Sequence, residues 1–186
     1  RAFAVADHQT AHVYVSDESD IARVAEVIKA LDGVEQVLDR HAQQHLAVDH
    51  PRSGELVAVA EPAAWFTYYY WLDDDRAPEF APCVDIHRKP GYDPAELLMN
   101  PDDRTAKVKA GVALIKKALG FRYTMDVIAL NGNHVRGTHG RVPDSDEERP
   151  VIITSSPDHL LAGSAGPMPA TAVRDVVLHA HGSPRD

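Results

Sequence analysis

"AHVYVSDESDIARVAEVIKALDGVEQVLD" (residues 11–39) carries two hydrophobic periods in one short stretch. In "AHVYV" (11–15) apolar and polar residues alternate and β-branched and aromatic side chains dominate, which predicts a strand with one buried face. From residue 18 to 31 the period changes: Ile21, Val24, Val27, Ile28 and Leu31 recur at steps of three and four, the spacing of an amphipathic helix. "SDESD" places capping oxygens before that helix, and Gly33 supplies the glycine that commonly ends one. "VEQVLD" (34–39) then reads as extended again. Strand, helix and strand in succession place the chain in the α/β class.

Working outward, "HLAVD" (45–49) and "ELVAVAE" (55–61) read as further strands around the polar turn "HPRSG". Residues 1–62 are therefore expected to form a βαβ(β) subdomain, and residues 63–186 the remainder of the fold. "AWFTYYYW" (64–71) has high strand propensity. It reads either as a stacking platform for a base or sugar or, more economically, as a strand packed on both faces. Residues 73–103, rich in Pro, Asp and Arg with turn signals at "KPGYDP" and "NPDD", predict an irregular surface excursion. A helix over 105–119 follows, with Val108, Val112, Ile115 and Leu119 on one face, lysines around the other and Gly120 as its stop. "MDVIAL" (125–130) and "RPVIITSS" (149–156) read as extended runs. "TAVRDVVLHAHG" (171–182) reads as a closing helix capped by Thr171.

The composition narrows the function. With 186 residues and 44% hydrophobic content the chain can bury a substantial core. A formal charge of −9, from 28 acidic and 19 basic residues, argues against a nucleic acid polymer as partner, because phosphate backbones are gripped by clustered Lys and Arg. Cys83 is the sole cysteine and cannot form an intrachain disulfide, so no oxidising compartment is required and the cytoplasm is the default. No apolar run approaches the ~20 residues of a membrane span, and no membrane partner is expected. The sequence opens at Arg1 without a start methionine, which fits a piece of a longer polypeptide.

The usual catalytic signatures are missing: there is no HExxH, no paired CxxC, no GxxxxGK[ST] and no GxSxG. Three Asp-His pairs, Asp7-His8, Asp49-His50 and Asp158-His159, lack a following glycine. Adjacent side chains on a strand point to opposite faces, so such a pair reaches one ion only from a special turn, and an ordinary turn role is favoured for all three. The stretch from Asn131 to Arg149, "NGNHVRGTHGRVPDSDEER", stands apart. His134 and His139 lie five apart in it, Gly137 and Gly140 free the backbone around His139, and imidazole is the commonest ligand for zinc-type ions.

"GTHGRVPDSDEERPVIITSS" resembles the closing metal-ligand segment of the alkaline phosphatase superfamily, in its branch of type I phosphodiesterases, nucleotide pyrophosphatases and phosphonoacetate hydrolases. "RSGELVAVAEPAAWFTYYYWLDDDRAPEFAPCVDIHRKPGYDPAEL" resembles the segment that precedes it in bacterial members, and "ALGFRYTMDVIAL" the link between the two. Nearly the whole chain thus looks like the C-terminal half of such an enzyme, with "IHRKPGYDP" and "GTHG" the most specific parts.

The resemblance implies the C-terminal part of an α/β sandwich and a hydrolase of small phosphoesters, pyrophosphates or phosphonates that uses two divalent ions, usually zinc. His139 would ligate one ion. The nucleophile and the other ligands would lie upstream, on a missing N-terminal half, so no catalytic residue is assigned within this chain. "ADHQTAHVYV" echoes the superfamily's Asp-His-Gly motif but looks like the strand that follows it, and Asp7 and His8 are not assigned to the metal. The 73–103 excursion would shape the substrate cleft, with His87, Arg88, Lys89 and Tyr92 touching substrate or, equally, forming a surface turn with a structural ion pair. Two other readings stay open: a non-catalytic binding module derived from that fold, and an independent metal site built from His134, His139 and a carboxylate such as Asp126.

Overall fold

The structure, a computed structural model, describes residues 1–84, 98–155 and 166–182. Those residues form a mixed α/β protein with one four-stranded antiparallel sheet and four α-helices. The chain divides into two compact units, Arg1–Arg141 and Val142–Asp186.

The sheet belongs to the first sixty residues of the first unit. Strands β1 (Ala2–Asp7), β2 (Thr10–Val15), β3 (Val34–Leu38) and β4 (Leu56–Ala60) lie in the order β1-β2-β4-β3. Helix α1 (Ile21–Lys29) connects β2 to β3, and β4 inserts between them antiparallel to both. The expected βαβ(β) unit is thus a split βαβ motif, extended by β1 on the outer edge of β2. Its central strand, "LVAVA", is buried along its whole length, as a strand covered on both faces must be. On one face Leu56 packs with Val13 and Val15 beneath Ile21, Val24 and Ile28 of α1, the residues whose spacing predicts the helix. On the other, Leu38, Val57 and Val59 meet Ala42 of the short helix α2 (Arg40–Gln44).

Polar groups fix the connections. Asp17 accepts a hydrogen bond from Ser19 N and so caps the 3-10 turn Glu18–Asp20 that leads into α1; α1 itself, with Asp20 at its N-cap, has no side-chain capping bond, so the capping expected of "SDESD" falls on the turn. Asp39 caps α2 through Ala42 N. Gln43, fully buried, donates to the Leu38 and Gly54 carbonyls and so ties α2 to the start of β4. Glu55 accepts from Val15 N at 2.7 Å, and that bond holds its carboxyl below the usual range.

Several predicted strands are absent. Residues 45–49 form turns after α2, with Leu46 and Val48 exposed. Residues 64–71 belong to no sheet ladder. In 125–130 only Asp126 makes an isolated bridge, to Cys83, and residues 149–155 carry no strand. In each case the apolar composition is present, but among the described residues no neighbouring strand takes up the backbone groups, and a strand exists only as part of a ladder.

Helix α3 (Ala106–Ala118) agrees with the predicted 105–119 span, but not with its expected buried face. Val108, Val112, Ile115 and Leu119 are exposed, and Ala106 and Ala113 are the residues it buries. The closing helix α4 (Val173–Ala180) is preceded by a tight turn over Ala170–Ala172, so Thr171 lies within that turn and does not cap the helix. No helix among the described residues is long and apolar enough to cross a membrane.

The start of α3 supplies a pH-dependent anchor. Asp103 accepts from Lys109 Nζ at 2.7 Å and from Thr105 Oγ1 and N at 2.6 and 2.8 Å; these bonds, the lysine's foremost, hold its pKa at about 2. A carboxyl depressed in the folded state stabilises the fold above its unfolded pKa of about 4 and loses that effect as pH falls toward the folded value. Urea midpoints are therefore expected to drop between about pH 4 and about pH 2, and Asp103→Asn to flatten that limb. An unchanged acid slope in the variant would remove Asp103 from the account.

Candidate metal centre

β1 and β2 are joined by only two residues, His8 and Gln9, and His8 has φ 57°, the left-handed conformation that tight hairpins use at their first loop position. A non-glycine residue there is uncommon, although histidine tolerates it better than most. The turn changes the geometry of the Asp7-His8 pair. On a continuing strand the two side chains would diverge. At this hairpin one ligand atom from each lies within 4.8 Å of the other and of one on His139.

His139 reaches the turn because the loop around it is clamped. Its carbonyl accepts from Gln9 N at 2.9 Å, and its ring lies 3.9 Å from that of His8, centroid to centroid. Immediately after it, Gly140 has φ 113° and passes close to Thr10, whose backbone N and side chain would lie 3.3 Å from an added Cβ. Arg141 then grips Glu35 of β3 through two bonds, Nε to Oε2 at 2.6 Å and a second guanidinium nitrogen to Oε1 at 3.1 Å. This bidentate pair gives Arg141, two positions after His139, a structural role in holding the loop. On the other side of the turn, Phe66 N donates to the His8 carbonyl at 2.7 Å, and the Tyr68 ring meets His8 edge-on at 5.8 Å. The Gln9 amide donates to the carbonyls of Glu61, Pro62 and Ala64. His8 is buried, while Asp7 and His139 are exposed, so the cluster is anchored at one corner and open at the other two.

Two imidazoles and a carboxylate are a donor set that zinc-type ions accept in threes at open catalytic sites. Tetrahedral ligands at ~2.1 Å from a metal stand roughly 3.4 Å apart, so side-chain adjustments of about 1 Å bring atoms within 4.8 Å of one another onto one ion. The donor set fits a divalent cation.

The other residues singled out in the sequence fall elsewhere. His134 lies 3.7 Å from Asp102, and Asp126 accepts from the Cys83 thiol at 2.9 Å and from Thr124 Oγ1 at 2.8 Å. Neither joins His139 in a group of three metal-ligating side chains, so the independent His134/His139/Asp126 site is not formed. His50 accepts from Arg52 N, an ordinary turn role for the Asp49-His50 pair. His87, Arg88, Lys89, Tyr92 and the Asp158-His159 pair lie outside the described residues. The sequence signal that could have found the turn, though not its ligands, is the pair of apolar runs "AFAVAD" and "TAHVYV" separated by two residues, the spacing of a tight hairpin.

No protein-family model, curated protein or solved structure matches the chain.

Proposed function

We propose that the chain is the C-terminal portion of a metal-dependent phosphodiesterase or nucleotide-pyrophosphatase-like hydrolase of the alkaline phosphatase type, with Asp7, His8 and His139 as ligands it contributes to a divalent-metal centre. The convergence of these three side chains from segments 131 residues apart in sequence (139 − 8) carries the reading. Beside it stands the resemblance of "GTHGRVPDSDEERPVIITSS" to the superfamily's closing ligand segment. The wider alkaline-phosphatase-like sandwich, a second zinc-type ion, the nucleophile and a cytoplasmic location belong to the same proposal, the missing parts being assigned to an upstream half.

A divalent ion held here would polarise a phosphoryl oxygen and offset the charge that builds up around phosphorus. The chain's own part is positional. The hairpin presents Asp7 and His8 from one side, and the Glu35–Arg141 pair holds the His139 loop on the other, so little reorganisation is left to metal binding. Asp7 adds a carboxylate oxygen donor to the two imidazole nitrogens, a mixed set that favours a cation over a neutral ligand.

The reading is tested by titrating the chain with Zn²⁺ in a calorimeter and with Co²⁺ in a spectrophotometer, and by assaying the complete polypeptide on bis(p-nitrophenyl) phosphate. One equivalent of metal bound at micromolar concentration, with phosphodiester hydrolysis that a chelator stops, is expected. A chain that takes up no metal in either titration is the non-catalytic module instead.

A further inference from the structure

The side chains of the aromatic stretch 64–71 fall into two environments. Tyr68 faces His8, while Trp65, Thr67 and Tyr69, at the alternate positions, line a cavity of about 920 Å³. This cleft, open to solvent, lies within the first unit and is further lined by residues 32–33, 63–64, 74, 130–133 and 135–136. Its size suits a small organic ligand.

The aromatic wall is fixed in place. The Trp65 indole N–H donates to the Gly132 carbonyl at 3.0 Å, so the ring offers a ligand its carbon surface rather than a donor. Tyr69 stacks on Trp71 at 4.6 Å. Two glycines keep side chains out of the space. A Cβ on Gly132 would stand 3.1 Å from Thr67 and 3.3 Å from the Trp65 ring, and one on Gly33, at φ 82°, would stand 3.1 Å from Ala64 Cβ.

Around this wall stand hydrogen-bonding groups not spent on the fold. The side chains of Asp32, Asn133 and Arg136 make no hydrogen bond or ion pair among the described residues, although all three line the cavity. Asp32 and Asp74 outnumber the single guanidinium of Arg136, which disfavours a polyanion. A purely apolar ligand would strip water from carboxylate, amide and guanidinium and return no bonds. A ring with one C–H face and several hydroxyls matches both halves: carbon against the indole, hydroxyl donors to Asp32, hydroxyl acceptors for Asn133 and Arg136.

We propose that this cleft binds a sugar ring, at a site that shares no lining residue with the Asp7–His8–His139 cluster. The ring can come from a saccharide or from the ribose of a nucleoside. The proposal does not rest on the hydrolase reading.

The test follows the Trp65 indole N–H resonance of the whole chain in ¹H–¹⁵N spectra. The probes are maltose and N-acetylglucosamine in one arm, adenosine and uridine in a second, and adenine alone in a third. A saturable shift with a Kd of about 1 mM or tighter is expected in the first or second arm, and none with adenine. The arm that responds identifies the source of the ring. Asp32→Asn and Asn133→Ala, both at exposed positions, should each weaken binding about tenfold. His139→Ala should leave it unchanged, which separates this site from the metal centre. Adenine binding as tightly as adenosine, affinity indifferent to Asp32→Asn, or no response to any hydroxylated probe would overturn the assignment.

Discussion

His139→Ala is expected to lower the affinity of the chain for Zn²⁺ by at least about 100-fold, because the loss of an outer-shell partner alone costs about 10–100-fold and this change removes a direct ligand. The imidazole is exposed and its ring supports no hydrophobic core, so the variant should keep its fold and its urea midpoint. The backbone bond from Gln9 N to the residue 139 carbonyl survives the substitution and keeps the loop in register. His134→Ala is the informative control. His134 stands beside Asp102, away from the cluster, and its removal should change zinc affinity by less than about twofold, well inside the effect of any ligand loss. Equal losses from the two variants would return the independent His134/His139 site to consideration. A His139 variant that binds zinc like the parent would end the metal proposal.

How far the sequence led depended on whether a pattern was closed locally. The periodicity of Ile21, Val24 and Ile28 identifies α1 and its buried face because helix hydrogen bonds are internal to the segment, and the sheet beneath is adjacent in sequence. The uninterrupted apolar "LVAVA" identifies β4 for a related reason, since only a central strand is buried on both faces. By contrast, "HLAVD" and "RPVIITS" (149–155) have strand composition but no ladder among the described residues, and composition does not say whether a partner strand exists. The metal cluster shows the same divide. His139, flanked by glycines in a polar loop, stands out in the sequence. Asp7 and His8 do not, because the rule that neighbouring side chains diverge holds along a strand and fails at a left-handed hairpin residue. The Arg141–Glu35 pair joins residues 106 apart, and nothing in the local sequence indicates it.

Gly54→Ala is expected to be the most destabilising single methyl addition in the sheet. Gly54 lies two residues before β4 and is buried against β2, where an added Cβ would lie 2.6 Å from Val13 N and O and 2.8 Å from Val13 C. All three are backbone atoms of a central strand, so no rotamer change relieves the clash. Either β2 or the 53–55 segment must shift. A shift of β2 breaks the Val13–Leu56 register and opens the Val13, Val15 and Leu56 cluster beneath α1. A shift of the 53–55 segment breaks the bond from Gly54 N to His12 Nδ1, the bond from Gln43 to the Gly54 carbonyl, and the Glu55 carboxylate's bond with Val15 N. Overpacking against side chains typically costs about 1–3 kcal/mol. With rigid backbone as the obstacle and buried hydrogen bonds lost in the relaxation, a cost of about 4 kcal/mol or more is expected, in the range reserved for disrupted cores and networks. Against a total stability of roughly 5–15 kcal/mol this removes a large share of the folded state's margin. Urea unfolding followed by circular dichroism reads the effect directly. Gly111→Ala on α3, where an added Cβ meets nothing within 4 Å, should by contrast be neutral or stabilising. Indistinguishable urea midpoints for the two variants would mean that the backbone at Gly54 does not lie against Val13 as closely as that 2.6 Å contact requires.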